Sequence, residues 1–480
     1  MLPNDVLLEI FDWYLGEDQD DLEVDAWYPL VHVCRCWRNI IFSAPRRLNL
    51  RLFYTARSGE PASKMLGVWP AFPIIIQVNC MRPLRWSVDN VIDALEHNDR
   101  IRKIQLVDIE DTDLEAICSA MQRPFLALTD IFLRSSMWGM ELPDSLFGGF
   151  APRLRSLKLD AISYPGLWKL ISSSARDLVE LSLLELPPDG DVSPEAIVTN
   201  LSALIRLETL SLAFEIQDGR NSHCLQLSRV LNTASPTRFV LPSLKSCLFK
   251  CTCGYLEDFV AMIDTPRLET LDITLCKYDS DPLRSVSKET PQFNQFLGRT
   301  KMFKTLNNAS IHLRSDKLEI TLSRKPWACN AKVTLKFLCQ DKIDILGRVC
   351  ITKFLPLSNI ESLGISSQCH KWQSHREADR EDIRWPPSLS YFSAVKSLYL
   401  SKEIIPSVAC GLKQVMDSKG RLPPMLRSLQ KISTFTTKPL PSGSVKTAIE
   451  QFAAMLGLSA LDPPTIPFCW VANERSACDL

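Results

Sequence analysis

Residues 154–183 read LRSLKLDAISYPGLWKLISSSARDLVELSL, and one short phrase both opens and closes the stretch. It consists of an apolar residue, two of any kind, an apolar residue, one of any kind, and a third apolar residue: Leu154, Leu157 and Leu159, then Leu178, Leu181 and Leu183. Towards the N-terminus the phrase recurs at Leu128, Ile131 and Leu133 and at Ile101, Ile104 and Leu106. Towards the C-terminus it recurs at Leu207, Leu210 and Leu212, at Leu244, Cys247 and Phe249, and at Leu268, Leu271 and Ile273. After a gap it returns at Ile360, Leu363 and Ile365 and at Val395, Leu398 and Leu400. The third anchors at 106, 133, 159, 183 and 212 lie 27, 26, 24 and 29 residues apart. Apolar residues two apart give a short strand one buried face, whereas DGDVSPEAIVTNLSAL (189–204) and YLEDFVAMID (255–264) carry the helical period near 3.6. A strand-helix unit that cannot bury its apolar side alone stacks on its neighbours. The expected fold is therefore α/β, with the units stacked into a curved solenoid.

The rhythm is clear over 98–275 and irregular over 303–432, so the solenoid is assigned to 98–440. Residues 51–97 read as a connecting layer holding one buried strand around Ile74–Val78 and a short helix in SVDNVIDALEHN (87–98). Between Lys277 and Lys332 the rhythm breaks. A polar loop leads into a helix, and KLEITL (317–322) and AKVTLKFLC (331–339) read as successive strands of a stretched repeat. The charged segment SSQCHKWQSHREADREDIRWPP (366–387) is an expected exposed insertion. Residues 441–480 are assigned to a capping helix, with Val445, Ile449, Phe452 and Leu456 on one face, and a proline-rich tail.

Residues 1–50 stand apart as an all-helical unit. In LPNDVLLEIFDWYL (2–15), Leu7, Ile10, Phe11 and Tyr14 recur at helical spacing after a first-turn proline, and in PLVHVCRCWRNII (29–41) Leu30, Cys34, Trp37 and Ile41 do the same. Two such apolar faces exceed what a unit of this size can hide by itself. Either the following repeats cover the excess or a partner does.

The Leu-Pro opening, the first helix and the later Val-Cys-Arg-x-Trp cluster resemble an F-box, over roughly a tenth of the chain. The resemblance implies that Leu2, Pro3, Ile10, Leu15, Leu30, Val33, Cys34 and Trp37 dock on the Skp-type adaptor of a cullin-RING ubiquitin ligase. The link from Gly16 to Ala26 is longer than is usual in that family. The repeats resemble the leucine-rich repeats that often follow an F-box, with a period of about 20–29 residues, which implies a right-handed solenoid. One departure is that the asparagine expected three residues after the last leucine is replaced by Ser136, Ile162, Leu186 and Glu215, only Cys276 fitting the cysteine variant. The backbone groups it would serve must find other partners.

Composition narrows the classes. The 480 residues carry 55 basic and 55 acidic side chains, a balance that gives no global reason to bind nucleic acid or an anionic membrane. The 16 cysteines are scattered, often at apolar-pattern positions such as Cys34, Cys276 and Cys339, and read as reduced thiols. With no long apolar run and no basic-then-apolar start, the expected location is intracellular, cytoplasm or nucleus. No phosphate loop, nucleophile elbow or metalloprotease helix occurs, and no cofactor is expected. Cys247, Cys251 and Cys253 lack a second ligand pair for zinc, and Cys369, His370, His375, Glu377 and Asp379 read as solvated residues of a charged loop.

Residues between anchors point away from the buried face. Phe132, Arg134, Lys158, Asp160, Glu180, Asp272 and Tyr399 are therefore the candidates for a target-binding face, and its mixed signs suit a protein rather than a polyanion. The expected function is a non-catalytic substrate receptor that binds the Skp-type adaptor, through it a cullin, and a target protein. The rival is a leucine-rich scaffold outside any ubiquitin ligase; an enzyme using the cluster near Cys369 is a third.

Overall fold

The computed structural model describes residues 2–15, 27–54, 62–69, 72–79, 86–136, 140–174, 176–186, 193–214, 238–276, 291–324, 332–339, 342–367, 391–401, 404–405, 408 and 428–435. The chain divides into two units, Met1–Gly190 with Thr199–Glu215, and Asp191–Val198 with Ile216–Leu480.

The first unit begins with three helices, α1 (Asn4–Leu15), α2 (Tyr28–Val33) and α3 (Arg35–Ser43). In α1, Leu7, Phe11 and Leu15 are buried, one turn apart on a single side. Cys34 takes an extended backbone between α2 and α3, and its thiol accepts the backbone N–H of Trp37, so one residue both ends α2 and caps α3. Trp37 meets Phe11 edge-on at 4.8 Å between ring centroids. Trp27 lies against Trp69 and Phe72 at 5.2 and 5.9 Å and donates its indole N–H to the Arg51 carbonyl at 3.1 Å. Those contacts fasten the helices to the chain that follows.

Next come β1 (Leu52–Tyr54), α4 (Ala62–Val68), β2 (Ile74–Asn79), α5 (Val88–Leu95), β3 (Ile101–Ile109), α6 (Asp111–Ala120), β4 (Asp130–Ser135), β5 (Met140–Glu141), β6 (Ser156–Asp160), β7 (Ile162–Ser163), α7 (Leu167–Ser174), β8 (Glu180–Leu186) and β9 (Thr209–Phe214); α8 (Pro194–Leu201) lies between the last two in sequence, with Pro194–Val198 assigned to the second unit. Strands β1, β2, β3, β4, β6, β8 and β9 lie side by side in that order, each pair parallel, and β5 pairs with β7. The anchors stack in register: Ile104, Ile131, Leu157, Leu181 and Leu210 form one row, and Leu106, Leu133, Leu159, Leu183 and Leu212 the next. All ten are buried, and a Leu or Ile so placed contributes about 1.5–3 kcal/mol. Ile76 and Val78 of β2 continue the same rows, so part of the stretch read as a connecting layer is sheet.

Both ends of the strands follow a pattern. Leu128, Leu154 and Leu207 each donate a backbone N–H three residues back, to Phe125, Ala151 and Leu204, so a tight turn leads into β4, β6 and β9. Two residues past the third anchor, Asp108, Ala161 and Glu185 adopt left-handed φ of 56°, 57° and 51°, a conformation that costs roughly 1–2 kcal/mol without glycine. Register shifts accompany two of them, between Val107 and Ile109 and between Leu183 and Leu186. At Ser136, where the sequence resemblance would place an asparagine, the backbone ladder runs on, its N–H donating to the Ile109 carbonyl at 3.2 Å.

The second unit holds β10 (Phe239–Val240), β11 (Ser246–Cys251), α9 (Cys253–Ala261), β12 (Ile263–Asp264), β13 (Thr270–Leu275), α10 (Gln292–Arg299), β14 (Asn308–Leu313), β15 (Lys317–Ser323), β16 (Lys332–Leu338), α11 (Lys342–Ile351), β17 (Ser362–Ser367), β18 (Ser397–Ser401) and β19 (Lys431–Phe435). Its strand order is β11, β13, β16, β15, β14, β17, β18, β19, with β10 and β12 paired apart. β15 is antiparallel to both β14 and β16, and the other adjacent pairs are parallel. The stretched repeat expected here is instead an antiparallel meander. Only residues 314–316 join β14 to β15, closed by Arg314 N–H donating to the Lys317 carbonyl at 2.9 Å, and a parallel crossover needs a dozen residues or more. The capping helix expected in 441–480 and most of the charged insertion lie outside the described residues. Among the described residues no helix is long and apolar enough to cross a membrane.

Candidate functional site

Two surfaces carry the sequence-predicted residues. On the first, α1 has two apolar sides. Leu7, Phe11 and Leu15 are covered, while Leu2, Val6, Ile10, Trp13 and Tyr14 are exposed, Trp13 at 85% of its surface. Val33, at the end of α2, is 59% exposed, and Cys34 and Pro3 are also exposed. The eight predicted docking residues therefore divide. Leu2, Pro3, Ile10, Val33 and Cys34 face outward, Leu15 and Leu30 are buried, and Trp37 is half-buried against Phe11. Tyr14, part of the helical apolar pattern, belongs to the outward set, as do Val6 and Trp13, whose positions at 100° per residue relative to Leu2 and Ile10 are the signal in the sequence. The surface is largely apolar, and burying it against a packed partner would be favourable.

The second surface is the polar side of the strands. In the first unit it holds Phe132, Arg134, Lys158, Asp160 and Glu180, and these charges pair with one another. Arg134 Nε lies 3.2 Å from Asp108 and 3.5 Å from Asp160, and Lys158 Nζ lies 2.9 Å from Glu180, which also accepts from Ser156 at 2.8 Å. In the second unit Asp272 accepts from Lys336 at 2.8 Å, and Tyr399 stands in register between Gly364 and Ser433. Partly exposed pairs contribute ~0–1 kcal/mol each, so their main effect is to fix side-chain positions.

Also on the polar side of the second unit, His312 of β14 lies between Glu319 of β15 and Ser366 of β17 in register, with its Nδ1 2.5 Å from the Ser366 hydroxyl. Burial, and secondarily the Arg314 guanidinium, lower its pKa from 6.5 to about 4. Between those values the unfolded chain holds a proton that the folded chain does not. Stability is therefore full above pH 6.5 and falls as pH drops towards 4. Acidification from pH ~7.5 to pH ~5 is expected to remove about 2 kcal/mol through this residue. Urea midpoints of the wild type and His312→Asn at both pH values check this: the variant should lose about 2 kcal/mol less, and equal losses would rule the residue out.

Among the described cysteines, Cys34 is exposed and Cys36 half-buried, and the others are buried. Cys247, Cys251 and Cys253 are buried, burial raises the thiol pKa of Cys247 and Cys251 well above the usual range, and that of Cys118 goes up to about 12. Among the described residues no group of three or more His, Cys, Asp or Glu is placed to hold a metal ion. Residues Cys369, His370, His375, Glu377 and Asp379 lie outside the described residues. No protein-family model matches this chain, and a search of curated proteins returned no match.

Proposed function

We propose that this chain is the substrate-receptor subunit of a Skp/cullin/F-box ubiquitin ligase, with residues 1–50 as the F-box and 98–440 as an irregular right-handed leucine-rich-repeat solenoid. The observation that carries the reading is the uncovered apolar side of α1, continued by Val33, in the same residues that bear the Leu-Pro and Cys-Arg-x-Trp motifs. An apolar patch of this kind on a small helical unit marks a protein-binding surface. The in-register leucine rows support the repeat assignment, and Phe132, Arg134, Lys158, Asp160, Glu180, Asp272 and Tyr399 are the residues proposed to meet the target. The receptor acts by proximity, raising the effective concentration of target lysines near activated ubiquitin inside the cell.

The test is calorimetric titration of the purified chain with the purified Skp-type adaptor. Ile10→Asp with Val33→Asp should weaken binding at least ~30-fold, about 2 kcal/mol, while leaving the circular dichroism spectrum unchanged because both side chains are exposed. A folded wild type that does not bind leaves the second reading, a leucine-rich scaffold outside the ligase. Trp27 favours that alternative, since it ties the three helices to the strands as a cap would.

A further inference from the structure

The edge of the first unit's sheet where the strands begin is lined with arginine. Successive backbone bonds set the row: Thr129 N–H donates to the Arg102 carbonyl, Arg155 N–H to Thr129, Val179 N–H to Arg155, and Glu208 N–H to Val179, at 2.7–2.8 Å. Parallel strands repeat at ~4.8 Å, so Arg102 and Arg155, two strands apart, stand roughly 10 Å from one another. The turns that lead into the strands add Arg123, Arg153, Arg176 and Arg206, and all six side chains are exposed. Arg206 pairs with Asp177 at 3.2 Å, but among the described residues no carboxylate pairs with Arg102, Arg123, Arg153, Arg155 or Arg176.

The same edge also carries the carboxylates Asp99, Asp130, Asp177 and Glu208, fewer than its arginines. The opposite ends of the same strands carry Asp108, Glu110, Asp111, Asp160 and Glu185, and the corresponding positions of the second unit mix signs, with Lys245 and Glu269 on neighbouring strands and Lys396 bonded to Glu361 at 3.1 Å. Exposed apolar side chains alternate with the arginines: Leu126 and Ile205 stand at the first central position of their turns, and Phe150 just precedes Ala151, where the turn into β6 starts. Nothing in the adaptor reading uses this edge.

We propose that this edge is a second docking surface, for an acidic protein segment in which carboxylates alternate with apolar residues. A guanidinium offers a planar fork that matches a carboxylate with two parallel hydrogen bonds, which explains arginine in place of lysine. Leu126, Phe150 and Ile205 give the apolar residues of such a segment a place to pack. A nucleic acid would gain little from two aliphatic side chains and one phenyl ring, since its bases stack on aromatic faces. The charge excess also steers association, so binding weakens as salt rises.

Fluorescence anisotropy of the full chain with a fluorescein-labelled peptide of Glu-Leu-Glu repeats tests the proposal. The combined variant Arg153→Ala, Arg155→Ala and Arg176→Ala should weaken binding by about tenfold or more. Phe150→Ala should weaken the same peptide by about fivefold and leave poly-glutamate binding unchanged. Exposed positions make these changes tolerable to the fold, which an unchanged thermal midpoint verifies. The proposal is overturned by a wild type that does not bind the peptide, by a triple variant that binds as the wild type does, or by tighter binding of single-stranded oligothymidine than of the peptide.

Discussion

Trp27→Ala should uncouple the three N-terminal helices from the strands that follow. The indole is 5% exposed, packs edge-on against Phe42, Trp69 and Phe72 as well as Tyr28, and donates its N–H to the Arg51 carbonyl just before β1. Truncating a buried tryptophan costs about 3–5 kcal/mol, because the removed ring loses its transfer free energy and leaves a cavity that neighbouring rings fill only in part. The loss is local. Amide exchange in α1, α2 and α3 should accelerate by two orders of magnitude or more, roughly the factor for 3 kcal/mol, while β4, β6 and β8 keep their protection. Trp27→Phe retains one ring but loses the N–H donor and part of the buried volume, so a smaller loss, about 2 kcal/mol, is expected there. Unchanged exchange in the helices of the alanine variant would mean that Trp27 fastens nothing, and would remove the main support for the capped-scaffold reading.

Glu257→Ala should destabilise the second unit by about 3 kcal/mol. Glu257 is buried on α9, and its two carboxylate oxygens accept the backbone N–H groups of Gln292 at 2.6 Å and Phe293 at 3.2 Å. These are first-turn donors of α10, which has Pro291 as its N-cap and no side-chain cap of its own. A carboxylate from a neighbouring helix thus caps α10 in trans and meets the positive end of its dipole. Removing it strands one buried donor, worth about 1–3 kcal/mol, and one half-buried donor that water serves in part. Glu257→Gln retains one acceptor oxygen without the charge and should lose about half as much. Urea midpoints followed by circular dichroism, with exchange rates in α10, give the measurement; an alanine variant as stable as the wild type would show that water serves these N–H groups equally well.

The parts of this structure that were legible in the sequence share one property: a period. Leu157, Leu181 and Leu210 could be aligned in advance because strand alternation and repeat length both recur, and the rows they form are those expected. The helices over DGDVSPEAIVTNLSAL and YLEDFVAMID follow from the same kind of signal and appear as α8 and α9. What the period could not carry was strand direction. KLEITL and AKVTLKFLC are strands in sequence pattern and in structure, yet their antiparallel pairing depends on the shortness of the turn at 314–316 and on which neighbours β14 and β16 find. The candidate docking residues divided for a similar reason. Leu15 and Leu30 fit the same helical spacing as Ile10 and Val33, and periodicity marks an apolar side without telling which side the rest of the molecule covers.

The sequence by itself determined the α/β class, the order of the leucine rows and the helical character of the first fifty residues, because each follows from spacing along the chain. Only the tertiary structure decided which apolar side of α1 stays uncovered, that Glu257 caps α10, that His312 is half-buried beside Ser366, and that arginines, five of them with no carboxylate partner among the described residues, line one edge of the first sheet. Each of those depends on contacts between residues distant along the chain, and burial and charge pairing are properties of such contacts rather than of spacing.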